Sequence, residues 1–352
     1  MAYTTIDKPT LHFNTKLWTG NSTTDRAFTG IGHQPDMLWV KGRNEGTDHE
    51  INDAVRGSTN YIRPNITNGE GTEAESVKSF DTDGYTLGNA NYWNWTAKTF
   101  VGWSWKAGTT TGLSGGTITP SAYSINTTSC FGIYKWTGTN ANATIAHGLG
   151  VAPKLVIIKR LTDGAGWMVQ HDGLTSASYI LKMNETAAQS SDAGNFNGTA
   201  PDATVFHVGT SNNTNQSTVA HVAYCFADVK GYQKLGTYEG NGNANGSFIY
   251  TGFKPAFVMI KNADAIEAWN IWDNRRSASG GNNEVGYCLL PNSAVVEQAH
   301  TASTGKQIDI YSNGFKMRGS GTEHNGNNNT HIYLAIAEEP LVASNGIPCT
   351  AR

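Results

Sequence analysis

The phrase His147-Gly-Leu-Gly-Val-Ala-Pro-Lys-Leu-Val-Ile-Ile-Lys159 constrains the fold of this chain most, because variants of it occur three times. A glycine precedes a proline by three residues, hydrophobic residues follow, and a lysine stands six residues after the proline. The other copies run from Gly32 through Pro35 to Lys41 and from Gly252 through Pro255 to Lys261, with Pro153 and Lys159 in the middle copy. A phrase returning about every 100 residues signals an internal repeat, which takes precedence over any local motif. Proline cannot donate to a β-ladder, so it suits the start of a strand, and the apolar run after it predicts a strand buried on both faces. The lysine then marks the return to solvent.

Other phrases keep step with this one. Twelve residues beyond each lysine stand Asp53, His171 and Asp273. Next come Tyr61 to Asn65, Tyr179 to Asn184 and Tyr287 to Asn292. Asp83-Gly84 and Asn313-Gly314 are hairpin signals, and Val205 to Gly209 is a degenerate middle copy. Each set closes on an alternating strand: Phe100 to Trp105, His221 to Phe226, and His331 to Ile336. Short strands without an amphipathic helix predict an all-β fold of three tandem β-sandwich, jelly-roll repeats. The expected division is an N-terminal arm over 1–13, sandwiches over 14–107, 130–231 and 232–339, a Gly/Thr/Ser-rich linker over 108–129, and a tail over 340–352. Each sandwich has enough chain for its own core. The arm either docks on another protein or runs along the surface.

The 352 residues carry a net charge of −3 and only 15% charged residues, with 40 glycines. This is a turn-rich β composition with an uncharged polar surface, and it gives no electrostatic reason to expect nucleic acid. The beginning, Met1-Ala-Tyr-Thr-Thr-Ile-Asp7, does not read as a signal peptide, and no apolar run is long enough to span a membrane. Cys130, Cys225, Cys288 and Cys349 lack metal-like spacing and read as reduced thiols of a protein made in a cytoplasm.

Candidate chemistry is sparse. His49-Glu50 begins like a zinc-protease motif, but Asp53 replaces the second histidine in a β context. Asp81-Thr-Asp83-Gly84 begins like a calcium loop and lacks the later acidic ligands; a hairpin turn explains it as well. Glu338 and Glu339 are neighbours on a strand and point to opposite faces, which suits them poorly to glycoside hydrolysis. No metal and no cofactor is expected. The Lys41/Asp53 and Lys261/Asp273 pairs suggest a salt bridge at a strand end or a shared ligand contact. The aromatic Tyr92, Trp93 and Trp95 lie in an Asn-rich loop, where they either stack on sugar faces or fold back on the sandwich. Asn241, Asn243 and Asn325 stand in Asn/Gly-rich loops that serve as recognition tips or as turns.

The phrases Tyr238-Glu-Gly-Asn-Gly-Asn243, Gly252-Phe-Lys-Pro-Ala-Phe-Val-Met-Ile-Lys261, Trp272-Asp-Asn-Arg-Arg276 and Ser312-Asn-Gly-Phe-Lys-Met-Arg318 resemble those of virion structural proteins of marine tailed bacteriophages, especially cyanophages. The leader Met1 to Asp7 and the ending Asn345 to Arg352 are similar too, so the resemblance spans nearly the whole chain. It implies lectin-like, concanavalin-like sandwiches in a non-enzymatic tail fibre or tail-associated protein of the virion. The partners it implies are a homotrimer, neighbouring tail or capsid proteins, and host cell-surface glycan. A capsid decoration or cement protein is the alternative, and a glycan depolymerase the second. The family offers no defined catalytic residues to carry over, and His171 departs from the pattern set by Asp53 and Asp273.

Overall fold

The structure is a computed structural model that describes residues 3–162, 164–276, 283–300 and 305–349. It is built almost wholly from antiparallel β-sheets. In the first sheet, Phe13–Thr19 pairs with Thr99–Trp105, which pairs with Met37–Gly42, and then come Glu50–Asp53, Gly57–Ile62 and Gly71–Thr72. The second sheet repeats that order with Phe131–Thr137, Ala220–Phe226, Leu155–Arg160 and Trp167–His171. The third does so with Gln233–Glu239, Thr330–Pro340, Phe253–Asn262 and Asn270–Asp273. Outer strands back each sheet, as in a sandwich: Arg26–Phe28 with Gly84–Leu87 and Val77–Asp81, Ala143–Ala146 with Val205–Val208, and Asn245–Tyr250 with Gly314–Arg318 and Gln307–Tyr311. Among the described residues the α-helices are single turns, such as Asn91–Asn94 and Thr322–Asn325. None is long and apolar enough to cross a membrane.

Each proline-led strand lies in the interior of its sheet, and its sequence suits that place. Pro35 and Pro153 stand just ahead of strands that begin at Met37 and Leu155. Pro255 lies within Phe253–Asn262, at a point where the ladder shifts register. A residue without an N–H is accommodated there at little cost. The strands that follow are buried on both faces, as expected. Met37 and Trp39 face one core, and Leu38 and Val40 face another with Phe28, Tyr85 and Trp93. Leu155 and Ile157 alternate in the same way with Val156 and Ile158.

The inward faces of the three sheets meet in one shared core, while the other faces of the first two sheets pack on their own backing strands in separate cores. Phe257 of the third sheet lies edge-on to Trp103 at 5.9 Å and Trp105 at 5.8 Å of the first. Trp105 in turn meets Phe226 of the second at 6.5 Å. Each such ring pair adds roughly 0.5–1.5 kcal/mol beyond the area it buries. The gap left between Met37, Ile157, Tyr224 and Met259 is a cavity of ≈ 20 Å³, so the three faces interlock closely.

Two expectations change. Residues 122–126, placed in the linker by their composition, form the strand Ala122–Asn126 at the edge of the second sheet. The leader also packs on its own chain. Ile6 enters the shared core, the Tyr3 hydroxyl donates to the Gly252 carbonyl at 2.7 Å, and Asp7 accepts from the Ser344 amide at 2.6 Å. Residues 1–2 and 350–352 of the expected arm and tail lie outside the described residues.

Candidate functional site

The repeated polar residues converge on the joins between sheets. Lys41, Lys159 and Lys261 do not emerge into solvent; each is fully buried. Lys41 Nζ donates to the carbonyls of Gly42 at 2.8 Å, Glu45 at 3.3 Å and, across the join, Ala294 at 3.2 Å. Lys159 donates to Ala165 and Thr67, and Lys261 to Asn262, Ala265 and Thr186. Thr67, Thr186 and Ala294 each stand two residues after the asparagine of the Tyr…Asn phrase. The first sheet therefore reaches to the third, the second to the first and the third to the second. The joins thus run in a closed cycle from sheet to sheet. Burial pushes Lys41 and Lys261 down to about 8, because the ammonium loses its hydration; for Lys41 the carboxylates of Asp48, Glu297 and Glu45 oppose this.

A second set of bonds follows the same cycle. Trp167 Nε1 donates to the Arg63 carbonyl at 2.9 Å, and Trp269 Nε1 to the Lys182 carbonyl at 3.0 Å. At the matching position of the first sheet, His49 lies 3.0 Å from the Leu290 carbonyl through Nε2. The asparagine side chains Asn65, Asn184 and Asn292 accept the backbone amides of His49, Trp167 and Trp269. These asparagines thus set the strand ends from which the rings reach across.

The acidic positions do not pair with the lysines. Asp53 binds Arg56 Nε at 2.6 Å, and Asp273 binds Arg276 Nε at 2.5 Å; all four side chains are buried. Each arginine also meets a glutamate, Glu70 at 3.1 Å and Glu297 at 3.0 Å. Each aspartate then accepts a donor from the adjoining sheet. The Tyr224 hydroxyl reaches Asp53 Oδ2 at 2.6 Å, and Trp103 Nε1 reaches Asp273 Oδ2 at 2.9 Å. At the third join every member differs. His171 replaces the aspartate, Leu174 the arginine and Gln189 the glutamate, while Leu334 occupies the donor's register. There His171 Nε2 faces the Tyr333 carbonyl at 3.4 Å. An unpaired buried charge is costly, so the ionic set is present whole or replaced whole.

The loop candidates divide by burial. Trp93 is 1% exposed, and its indole donates to Asn52 Oδ1, so it packs inside and cannot present a ring to sugar. Tyr92 is half-buried with the Arg63 guanidinium 4.7 Å over its ring. Trp95 is exposed at 37%, with Lys98 Nζ 5.2 Å from its ring. Asn325 is fully buried: its amide donates to Gly319, Asn243 and Asn241, and its carbonyl oxygen accepts the Asn241 amide. Asn94 and Asn215 hold the corresponding turns of the other two sheets. A Cβ on Gly20, Gly138 or Gly240 at those turns would fall 2.0–2.2 Å from a backbone oxygen, which explains the glycine that directly follows Phe13–Thr19, Phe131–Thr137 and Gln233–Glu239. Asn241 and Asn243 are exposed, though their side-chain oxygens accept the amides of Asn243 and Asn245.

The remaining motifs are also engaged. Glu50 is buried against Arg63 at 2.8 Å, and burial raises its carboxyl to about 8 despite that partner. Asp83 accepts the amides of Gly30 and Gly32 at 3.0 and 2.7 Å, so the Asp-Gly hairpin pins the first proline phrase. Glu338 pairs with Lys254 at 2.9 Å. Cys225 is buried within a strand, and that burial raises its thiol well above the usual range. Among the described residues, no group of three His, Cys, Asp or Glu is placed to hold a metal ion.

One pocket opens beside the second sheet, with a volume of ≈ 180 Å³, bordered by Pro153, Lys154, Gln170, Asp172, Ser176 and Pro201. Gln170 escaped notice because the matching positions, Asn52 and Trp272, carry no repeated residue to mark it, although Asn52 shares its carboxamide. The residues that tie the ring were more visible. Arg56 and Arg276 stand three residues after their aspartates in phrases that already repeat.

No curated protein and no solved structure matches this chain. Its phrases do match a family model over residues 8–340, which takes in all three sheets and every join between them. The chain belongs to that family, described as a domain of unknown function, DUF7483.

Proposed function

We propose that this protein is a non-catalytic structural component of a tailed-bacteriophage virion, a tail fibre or tail-associated part that contributes to recognition of host-surface glycan. One observation carries the reading. The polar residues that recur, Lys41, Asp53, Lys159, Lys261 and Asp273, are spent inside the joins between sheets. What recurs is architecture, so recognition falls to surfaces that differ between the sheets. The resemblance to marine phage virion proteins supplies the particle, the homotrimer and the neighbouring virion proteins as parts of the same proposal.

The capsid-cement alternative needs leader and tail free to clamp neighbours. Tyr3 and Asp7 instead bind Gly252 and Ser344 of their own chain, which favours the tail reading. Two experiments test it: localisation of the protein in the virion by cryo-microscopy, and competition of purified protein with phage adsorption. Placement on the tail with blocked adsorption is expected. Stoichiometric arrays on the capsid, without competition, would overturn the reading.

A further inference from the structure

The pocket beside the second sheet has an internal control. Gln170 and Asn52 occupy the same strand position, one residue before His171 and Asp53. The Asn52 amide donates to Ser58 and Asn60, and its oxygen accepts Trp93 Nε1 at 2.9 Å. The Gln170 amide donates to the Ala177 and Thr199 carbonyls, each at 3.0 Å, which fixes its orientation. Its oxygen, however, has no partner among the described residues, although Gln170 is only 4% exposed. Thr214 stands where the first sheet has Trp93, one residue before the buried asparagine, and brings no indole to the acceptor. A buried acceptor left without a donor destabilises the fold, a cost that a bound donor removes.

The pocket also limits what that donor can be. At ~30 Å³ per liquid water, ≈ 180 Å³ holds about six waters or one small ring. Lys154 lies 3.6 Å from Asp172 and 3.3 Å from Asp228, so its charge is compensated. An anion would meet the Gln170 oxygen and the Asp172 carboxylate; a cation would meet Lys154. A neutral hydroxyl suits the acceptor, and Pro153 and Pro201 offer apolar surface to the C–H face of a sugar. The geometry points to a binding site for a single neutral pyranose unit, with one hydroxyl donating to Gln170 Oε1 and others within reach of Asp172 and Lys154. This deepens the glycan-recognition reading above and rests on it for the choice of ligand class.

The test is ligand-observed saturation-transfer NMR on the full chain with D-glucose, D-galactose, D-mannose and L-rhamnose at millimolar concentration. At least one sugar should give a saturable signal, weakened tenfold or more by Gln170→Met. Because that change also removes two structural hydrogen bonds, Ala200→Trp fills the pocket from an exposed position on its rim and should abolish binding with an unchanged melting temperature. No saturable signal from any of the four, or equal affinity in Ala200→Trp, overturns the site. The two readings also fail separately. If Ala200→Trp protein keeps the parent's sugar affinity and still blocks phage adsorption, host recognition stands and the pocket falls. If sugar binding is lost in Ala200→Trp but the parent never competes for adsorption, the pocket stands and the host-recognition reading falls.

Discussion

The Tyr224 hydroxyl donates to Asp53 Oδ2 at 2.6 Å across the join between the second and first sheets. Asp53 is already paired with Arg56, so the tyrosine completes a buried ionic set instead of neutralising it. A hydrogen bond to a charged group contributes about 1.5–3 kcal/mol. Tyr224→Phe should therefore lower stability by roughly that amount in urea unfolding. Asp53→Ala should cost more, about 3–5 kcal/mol, because it strips Arg56 of its main buried counter-charge. Equal losses from the two would mean that the tyrosine, not the ion pair, dominates the join.

The altered join makes a sharper prediction. His171→Asp alone puts a carboxylate among Leu174, Leu334 and the shared core with no arginine, and should cost several kcal/mol. Adding Leu174→Arg should recover part of that loss, since it restores the i, i+3 pair seen at the other joins. Two independent, additive losses in thermal denaturation would show that positions 171 and 174 are not coupled.

Acid should weaken the fold through its histidines. Burial holds His33, His171, His221 and His324 at about 4, against an ordinary value of 6.5. Between those values the unfolded chain binds protons that the native chain does not. Their contribution is full above pH 6.5 and is lost as pH falls toward 4. Glu50 acts oppositely: raised to about 8 from 4.5, its contribution is present below 4.5 and is lost as pH rises through 8. Urea midpoints across this range should climb from pH 4 to 6.5, less steeply in His171→Gln.

The buried lysines predict a change on the alkaline side. Lys41 and Lys261 titrate near 8 in the native state and at 10.5 when unfolded. Between those values the unfolded state holds more protons, so these two groups make stability rise with pH. Lys261→Met should flatten that rise. It should also destabilise at neutral pH, because the carbonyls of Thr186, Asn262 and Ala265 lose their donor, at about 1–3 kcal/mol for each acceptor left buried and unpaired.

The strands and their alternation were legible because period-2 burial is written locally, as in Met37 to Val40 against the two cores. The burial of the lysines was not. A lysine after an apolar strand reads as a return to solvent, and only carbonyls brought from far along the chain, Ala294 for Lys41 and Thr67 for Lys159, make its burial tolerable. Separate cores stand behind the first two sheets, but the additional shared core was not legible: inward residues such as Phe257 and Trp105 look alike whether they face their own outer strands or another sheet. Trp93 and Asn325 sit in loop-like sequence, yet their polar atoms are used inside. The coupled change at His171, Leu174, Gln189 and Leu334 is spread along the chain from residue 171 to 334 and is visible only where the fold brings them together.

Scanning calorimetry tests the central claim, that the repeated residues bind three sheets into one cooperative ring. One transition is predicted for the whole chain, with calorimetric and van't Hoff enthalpies equal, and Tyr224→Phe and Trp103→Phe should each move that entire transition downward. Separate successive transitions, with each substitution shifting only one of them, would contradict it.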